Sequence, residues 1–190
     1  MTDSPEKTRK PRADSLRNRE HLLATAKSVF TEAGTDVALE EVARRAGVGI
    51  GTLYRHFPTR GALLAAVYRR EVEHLSQAAD RLLAEKAPVE ALELWFEELI
   101  AYMATKRVVV PALKADPGEG AKAVAAGGPT IHETFARLVA AGAKAGVMRA
   151  GLEVEDLYRL LVGFAHGYDQ PGWEPAARRL AAILIAGLRS

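Results

Sequence analysis

The chain has 190 residues, 26 Lys+Arg against 24 Asp+Glu for a formal net charge of +2, and no cysteine. That length supports a hydrophobic core without metal or disulfide staples. The missing thiols exclude cysteine nucleophiles, cysteine-based zinc sites and disulfides. The first twenty residues are charged and the longest clean apolar run, 180–188, is too short to span a bilayer, so a soluble, cytoplasmic protein without membrane contact is expected.

Residues 1–14 are polar, with Pro5, Pro11 and four basic side chains, and predict a disordered basic arm. From Ser15 the pattern turns helical: Leu22, Leu23, Ala26, Val29, Phe30 and Ala33 form one apolar stripe that Gly34 ends. A short second helix carries Leu39, Val42, Ala43 and Ala46 and stops at Gly47. A third covers about 50–57 and meets Pro58. Pro58 and Thr59 open a long fourth helix with Leu63, Leu64, Val67, Leu75, Ala79 and Leu82 inward. Beyond Pro88, a fifth helix presents Leu92, Trp95, Phe96, Leu99, Ile100 and Met103. Pro111, Pro117-Gly118, Gly120 and Gly127-Gly128-Pro129 predict an irregular middle. Three more helices follow: one with Phe135, Leu138, Val139 and Ala143, one over 154–166 and one over 174–188. No segment alternates convincingly with period two, and no repeat is visible. The expected fold class is all-α.

Charge is unevenly placed. Residues 1–70 hold 13 Lys+Arg against 8 Asp+Glu, while residues 71–190 hold 13 against 16. The stretch 42–70 has no acidic residue but contains Arg44, Arg45, Arg55, Arg60, Arg69 and Arg70. A solvated helix face usually mixes both signs, so this run favours a polyanionic partner.

Inside that run lies GVGIGTLYRHFPTR, 47–60. Its glycine spacing is G-x-G-x-G after a helix, whereas a dinucleotide fingerprint needs G-x-G-x-x-G after a strand. The Gly-Lys-Ser/Thr ending of a P-loop is absent. A helix-turn-helix fits: Ala43 and Gly47 provide the small residue and the turn, Gly47 in a left-handed conformation. Leu53 anchors the second helix. Gly49 is a tolerable N-cap, Gly51 admits close backbone approach, and open N–H groups at this helix start favour an anion.

The stretch FTEAGTDVALEEVARRAGVGIGTLYRHFPTRGALL resembles the DNA-binding domain of the TetR/AcrR family of transcriptional regulators, over roughly residues 17–68 and with Arg19 ahead of the first apolar stripe. The resemblance implies a helix-turn-helix domain over 15–60, its motif at about 38–57. A larger ligand-binding and dimerisation domain, 61–190, would be entered through a linking helix at 59–83. It implies phosphate contacts from Tyr54, His56 and Arg60, and base or groove contacts from Ile50, Gly51, Thr52 and Arg55, with Gly49 first on the recognition helix. Among these, Arg55 is suited to bidentate reading of guanine. Where the family has a hydroxyl residue, this chain has Val37 and Ala38, leaving Asp36 as the helix cap one or two residues early.

The same resemblance implies a double-stranded DNA operator, a small-molecule effector and a homodimer, with no cofactor or metal. Candidate effector-pocket residues are Trp95, Phe96, Tyr102, Met103, Phe135, Met148, Tyr158 and Phe164, although aromatics and methionines at helical spacing also build ordinary cores. The candidate dimer face is Leu157, Leu160, Leu161 and Phe164 with Leu180, Ile183, Leu184 and Leu188, because a terminal helix apolar nearly all round needs cover. The expected function is a repressor released from a palindromic operator by its effector. An activator sensing the same ligand, or a helical-bundle enzyme using His132, Glu133, His166 and Asp169, are the alternatives. The lone Glu71-x-x-His74 lacks the second copy a di-iron site needs.

Overall fold

In a computed structural model that describes residues 10–115, 118–149, 151–164 and 172–190, the described residues form eight helices. These are α1 (Lys10–Ala33), α2 (Leu39–Arg45), α3 (Ile50–His56), α4 (Arg60–Glu85), α5 (Pro88–Ala115), α6 (Glu119–Lys144), α7 (Val154–Phe164) and α8 (Trp173–Leu188). Among the described residues no strand occurs, and one antiparallel bridge, Met148 to Arg189, ties the chain end to the turn after α6. None of the described helices is long and apolar enough to cross a membrane.

The first helix begins at Lys10, ahead of the expected Ser15. Pro11 is no obstacle there, because a first-turn residue needs no N–H partner and proline presets its φ. Residues 1–9 of the expected arm lie outside the described residues.

The expected irregular middle is corrected: α5 runs through Pro111 and α6 through Pro129. Pro111 stands near the end of α5 and Pro129 in the body of α6; each removes one ladder bond, which the buried faces of these long helices outweigh. Gly120 and Gly127 serve contact instead of turning. A Cβ on Gly120 would fall 2.7 Å from the Leu113 carbonyl oxygen, and one on Gly127 would overlap the Tyr68 hydroxyl. These two positions let α6 lie tightly on α5 and α4. Pro117 lies outside the described residues.

Helix α4 is the spine. Leu63, Leu64, Val67, Tyr68, Val72, Leu75, Ala79 and Leu82 bury one long stripe of it. It packs with α1, α5 and α6. Thr59 caps it, the side-chain oxygen accepting from the Ala62 N–H at 3.0 Å. Glu71, buried on α4, pairs with Lys27 of α1 at 2.5 Å and with Arg70 at 3.3 Å. The carboxylate in the Glu71-x-x-His74 pattern is therefore engaged by two cations.

Candidate nucleic-acid interface

The helix-turn-helix is built by α2, the turn at 46–49 and α3. Helix α2 ends in a Schellman closure: Gly47 N–H donates to the Arg44 carbonyl at 3.1 Å, and Val48 N–H to that of Ala43 at 3.0 Å. This closure places Gly47 at φ +64°, as the spacing predicts. Gly49 caps α3 through its carbonyl, which accepts from Thr52 and Leu53 N–H. Leu53 and Phe57, four residues apart, both face the core. Tyr54 is thereby turned outward and is 45% exposed. Arg55 is exposed beside it, while Ile50 and Thr52 are half-buried.

Gly49 and Gly51 are exposed, and a Cβ at either would meet nothing within 4 Å. No packing among the described residues demands glycine there. What the missing side chains leave is open space at the start of α3.

Arg60 and His56 do not stand with the others. Arg60 Nη1 donates to the carbonyls of Thr35 and Val37, both at 2.6 Å, bracing the loop before α2. His56 is half-buried, its Nε2 is enclosed without a hydrogen-bond partner among the described residues, and its ring lies 6.2 Å from that of Phe57. Burial, and then the charges of Arg55 and Arg19, hold its pKa below the ordinary value. A neutral ring with a covered nitrogen is a poor phosphate donor, so the contacts expected of these two residues do not match their surroundings. The expected Asp36 cap is also corrected. Ala38 is the N-cap of α2 and no side chain caps it. Glu40 and Glu41 in the first turn complement the helix dipole instead.

The acid-free run is less bare in space than in sequence. Arg44 and Arg45 both donate to Glu41, and Arg45 also reaches Glu32 at 2.6 Å. Those two hydrogen bonds draw the Glu41 pKa down to about 2. Arg69 pairs with Glu119 at 2.7 Å and Arg70 with Glu20 at 3.0 Å. Of the six arginines, only Arg55 has neither an ion-pair nor a hydrogen-bond partner among the described residues.

Among the candidate effector residues, Tyr102, Met103 and Tyr158 come together around a cavity of about 120 Å³ between α4, α5, α6 and α7. Tyr68 and Lys106, which sequence reasoning missed, complete its polar wall. Lys106 shares a face of α5 with Leu99, Tyr102 and Met103 at helical spacing, and that spacing was the available signal. Trp95, Phe96 and Phe135 are corrected to core: their rings pack within 5.9–6.4 Å of one another, and Trp95 Nε1 donates to the Leu75 carbonyl at 3.0 Å. Met148 is also core, its side chain filling the space a Cβ on Gly142 would take.

The candidate dimer residues divide. Leu157, Leu161 and Leu188 are buried within the subunit and cannot form an outer face, and Leu184 is half-buried. Leu160, Leu180 and Ile183 remain 57%, 50% and 68% exposed. The Phe164 side chain, like His166 and Asp169, lies outside the described residues. Of the polar set weighed for an enzyme, His132 Nε2 is 2.8 Å from Glu155, and Glu133 is exposed away from the cavity.

Residues 22–67 match bacterial regulatory proteins of the tetR family, and residues 87–190 match the C-terminal domain of SbtR-like transcriptional regulators. The TetR transcriptional regulator SCO0520 from Streptomyces coelicolor is 40% identical over 90% of this chain and 98% of its own, with a TM-score of 0.80. The TetR transcription regulatory protein from Mycobacterium vanbaalenii is 34% identical over 95% of this chain and 99% of its own, with a TM-score of 0.78. The HTH-type transcriptional regulator SAR0097 of Staphylococcus aureus is 34% identical over 80 residues, 40% of this chain, and the match spans 41% of that relative's length. With both halves matched in order on an all-helical chain that opens with a helix-turn-helix, the protein belongs to the TetR family of transcriptional regulators.

Proposed function

We propose that the protein is a homodimeric repressor that binds a near-palindromic operator and leaves it when a small molecule fills the cavity beside α4. The observation that carries the DNA-reading part is Arg55, the arginine of the run with no partner among the described residues, exposed on α3 next to Tyr54. An unengaged guanidinium matches guanine O6 and N7 bidentately, and a phenol hydroxyl suits a phosphate oxygen. Gly49 and Gly51 clear the approach, Ile50 and Thr52 border it, and Arg60 braces the loop before α2.

Two-fold symmetry would set two such helices about 34–36 Å apart, or somewhat more, on one side of the duplex. The apolar groups left uncovered on α7 and α8, Leu160, Leu180 and Ile183, support pairing there. Release would run through α4, a continuous helix that begins with Arg60 and lines the cavity with Tyr68. To shift the population, the ligand must bind the DNA-competent and released conformers with different affinity.

The test begins with selection of bound duplexes from random sequence, followed by fluorescence anisotropy on the winner. Arg55→Ala should cost about 1–3 kcal/mol and relax the preference at one base pair per half-site. Arg44→Ala, removing an arginine already held by Glu41, should change little. If the Arg55→Ala, Tyr54→Ala double variant binds the selected duplex like wild type at physiological salt, the assignment is wrong. For the dimer, Ile183→Glu should yield a folded monomer in sedimentation, and an unchanged dimer would reject the face.

A further inference from the structure

The geometry points to an anionic effector: a compact apolar molecule bearing one carboxylate, seated in the α4–α7 cavity against Lys106. The inference rests on the ligand-release reading above and names the chemistry of that ligand. The cavity has about 120 Å³ and is walled largely by apolar groups such as Leu99, Met103 and Ile131. A space of this order takes roughly a single benzene-sized ring. Among the described residues that line it, Lys106 alone brings a formal charge and none is acidic.

Lys106 is turned inward, with its Nζ 5.9 Å from the ring centroid of Tyr102, which is itself buried in the cavity wall. No ion-pair partner for it occurs among the described residues. Burial, and then repulsion from Lys114, lower its pKa. A half-buried ammonium with no counter-charge among the described residues is costly, and ligand binding that excludes the remaining water makes it more so. A carboxylate relieves that cost, whereas a neutral ligand of equal shape raises it.

Two phenols share the cavity wall with Lys106. The Tyr102 hydroxyl donates to that of Tyr68 at 3.1 Å, and both line the cavity. A carboxylate oxygen taking the Tyr102 proton, while the second carboxylate oxygen meets Lys106 Nζ, would break this pair. Tyr68 belongs to α4, so anion recognition and displacement of the proposed lever meet in one tyrosine pair. The third phenol, Tyr158, donates to the Gly128 carbonyl at 3.2 Å and closes the α6–α7 side.

The experiment compares isosteric probes, benzoate with benzamide and hexanoate with hexanamide, by calorimetry on the full-length protein. Wild type should prefer each acid to its amide by about tenfold or more, the range of a charge-assisted contact. Lys106→Met should lose that preference while still taking the amides, Lys106→Arg should keep it, and Lys114→Met should not alter it. An amide bound as well as its acid, no acid bound at millimolar concentration, or a preference surviving in Lys106→Met would each overturn the inference. Operator anisotropy with the same probes separates it from the underlying reading. Acids held through Lys106 without any change in DNA affinity would defeat ligand release alone, and release by neutral probes would defeat the anion alone.

Discussion

Gly51→Ala separates what the fold wants from what DNA wants. Gly51 is the second residue of α3, has no positive φ, and leaves nothing within 4 Å of a built Cβ. Alanine in place of glycine within a helix is favourable by roughly 0.5–1 kcal/mol, and a first-turn position belongs at the low end, ~0.5 kcal/mol. For a chain of this size, 1 kcal/mol moves Tm by about 2–4 °C, so the variant should melt about 1–2 °C higher. The added methyl also stands on the face proposed to meet the duplex, where close backbone approach is lost. Operator affinity should fall by about tenfold, ~1.4 kcal/mol. Thermal melts at matched protomer concentration and anisotropy on the selected duplex read the two effects independently. Greater stability with undiminished binding would refute the DNA-facing role of Gly51, and lower stability would refute the open-space argument.

Arg60→Met removes both loop carbonyl contacts and should cost roughly 1.5–3 kcal/mol in urea unfolding, the range for hydrogen bonds to a charged group; wild-type stability would show that the brace is idle. Because the His56 pKa is depressed in the folded protein, the unfolded chain binds its proton first as pH falls. The stability it confers should be fully present above about pH 6.5 and fade below, and His56→Gln should flatten that part of a urea midpoint–pH profile. Gly127→Ala drives a methyl into the Tyr68 ring and should destabilise by about 1–3 kcal/mol. Tyr68→Phe, which removes the overlapped hydroxyl, should recover part of that loss, and strictly additive effects in a double-mutant cycle would speak against the contact.

The legible parts of this molecule were those that local geometry settles. Leu53 and Phe57 stand four residues apart, so one face of a short helix must be buried and Tyr54 must leave it. Gly47 likewise follows from a Schellman turn that demands positive φ. What escaped sequence reasoning depends on partners distant in the chain. The run 42–70 carries no acid, yet Glu20, Glu32 and Glu119 arrive from outside it to pair Arg70, Arg45 and Arg69. Gly120 and Gly127 read as breakers because a sequence does not reveal that Leu113 and Tyr68 need their space. The pocket was half legible for the same reason. Tyr102 and Met103 follow from the helical stripe, but only the packing of α4 and α6 decides that Trp95 and Phe135 stack into core while Tyr68 and Lys106 face a void.

The polar ties of α4 differ in kind between its α1 side and its α6 side, which gives the proposed release a direction. Toward the DNA-binding unit, Glu71 is buried and held by Lys27 of α1, and Arg60 is fixed to the loop before α2. A half-buried ion pair and a charge-assisted brace are costlier to give up than exposed pairs, so the proposed movement would carry α4 together with α1 and α2. Toward α6 the ties are exposed ion pairs, Arg69 with Glu119 and Arg137 with Asp80. Such pairs contribute roughly 0–1 kcal/mol each and re-form readily in a new register. The Tyr68 hydroxyl lies on this looser side, where α4 faces the cavity and Gly127. A ligand pressing on Tyr68 would therefore shift α4 against α6 before it could part α4 from α1. The whole helix-turn-helix would be carried along, and the separation of the two recognition helices would change without any rearrangement inside the reading unit.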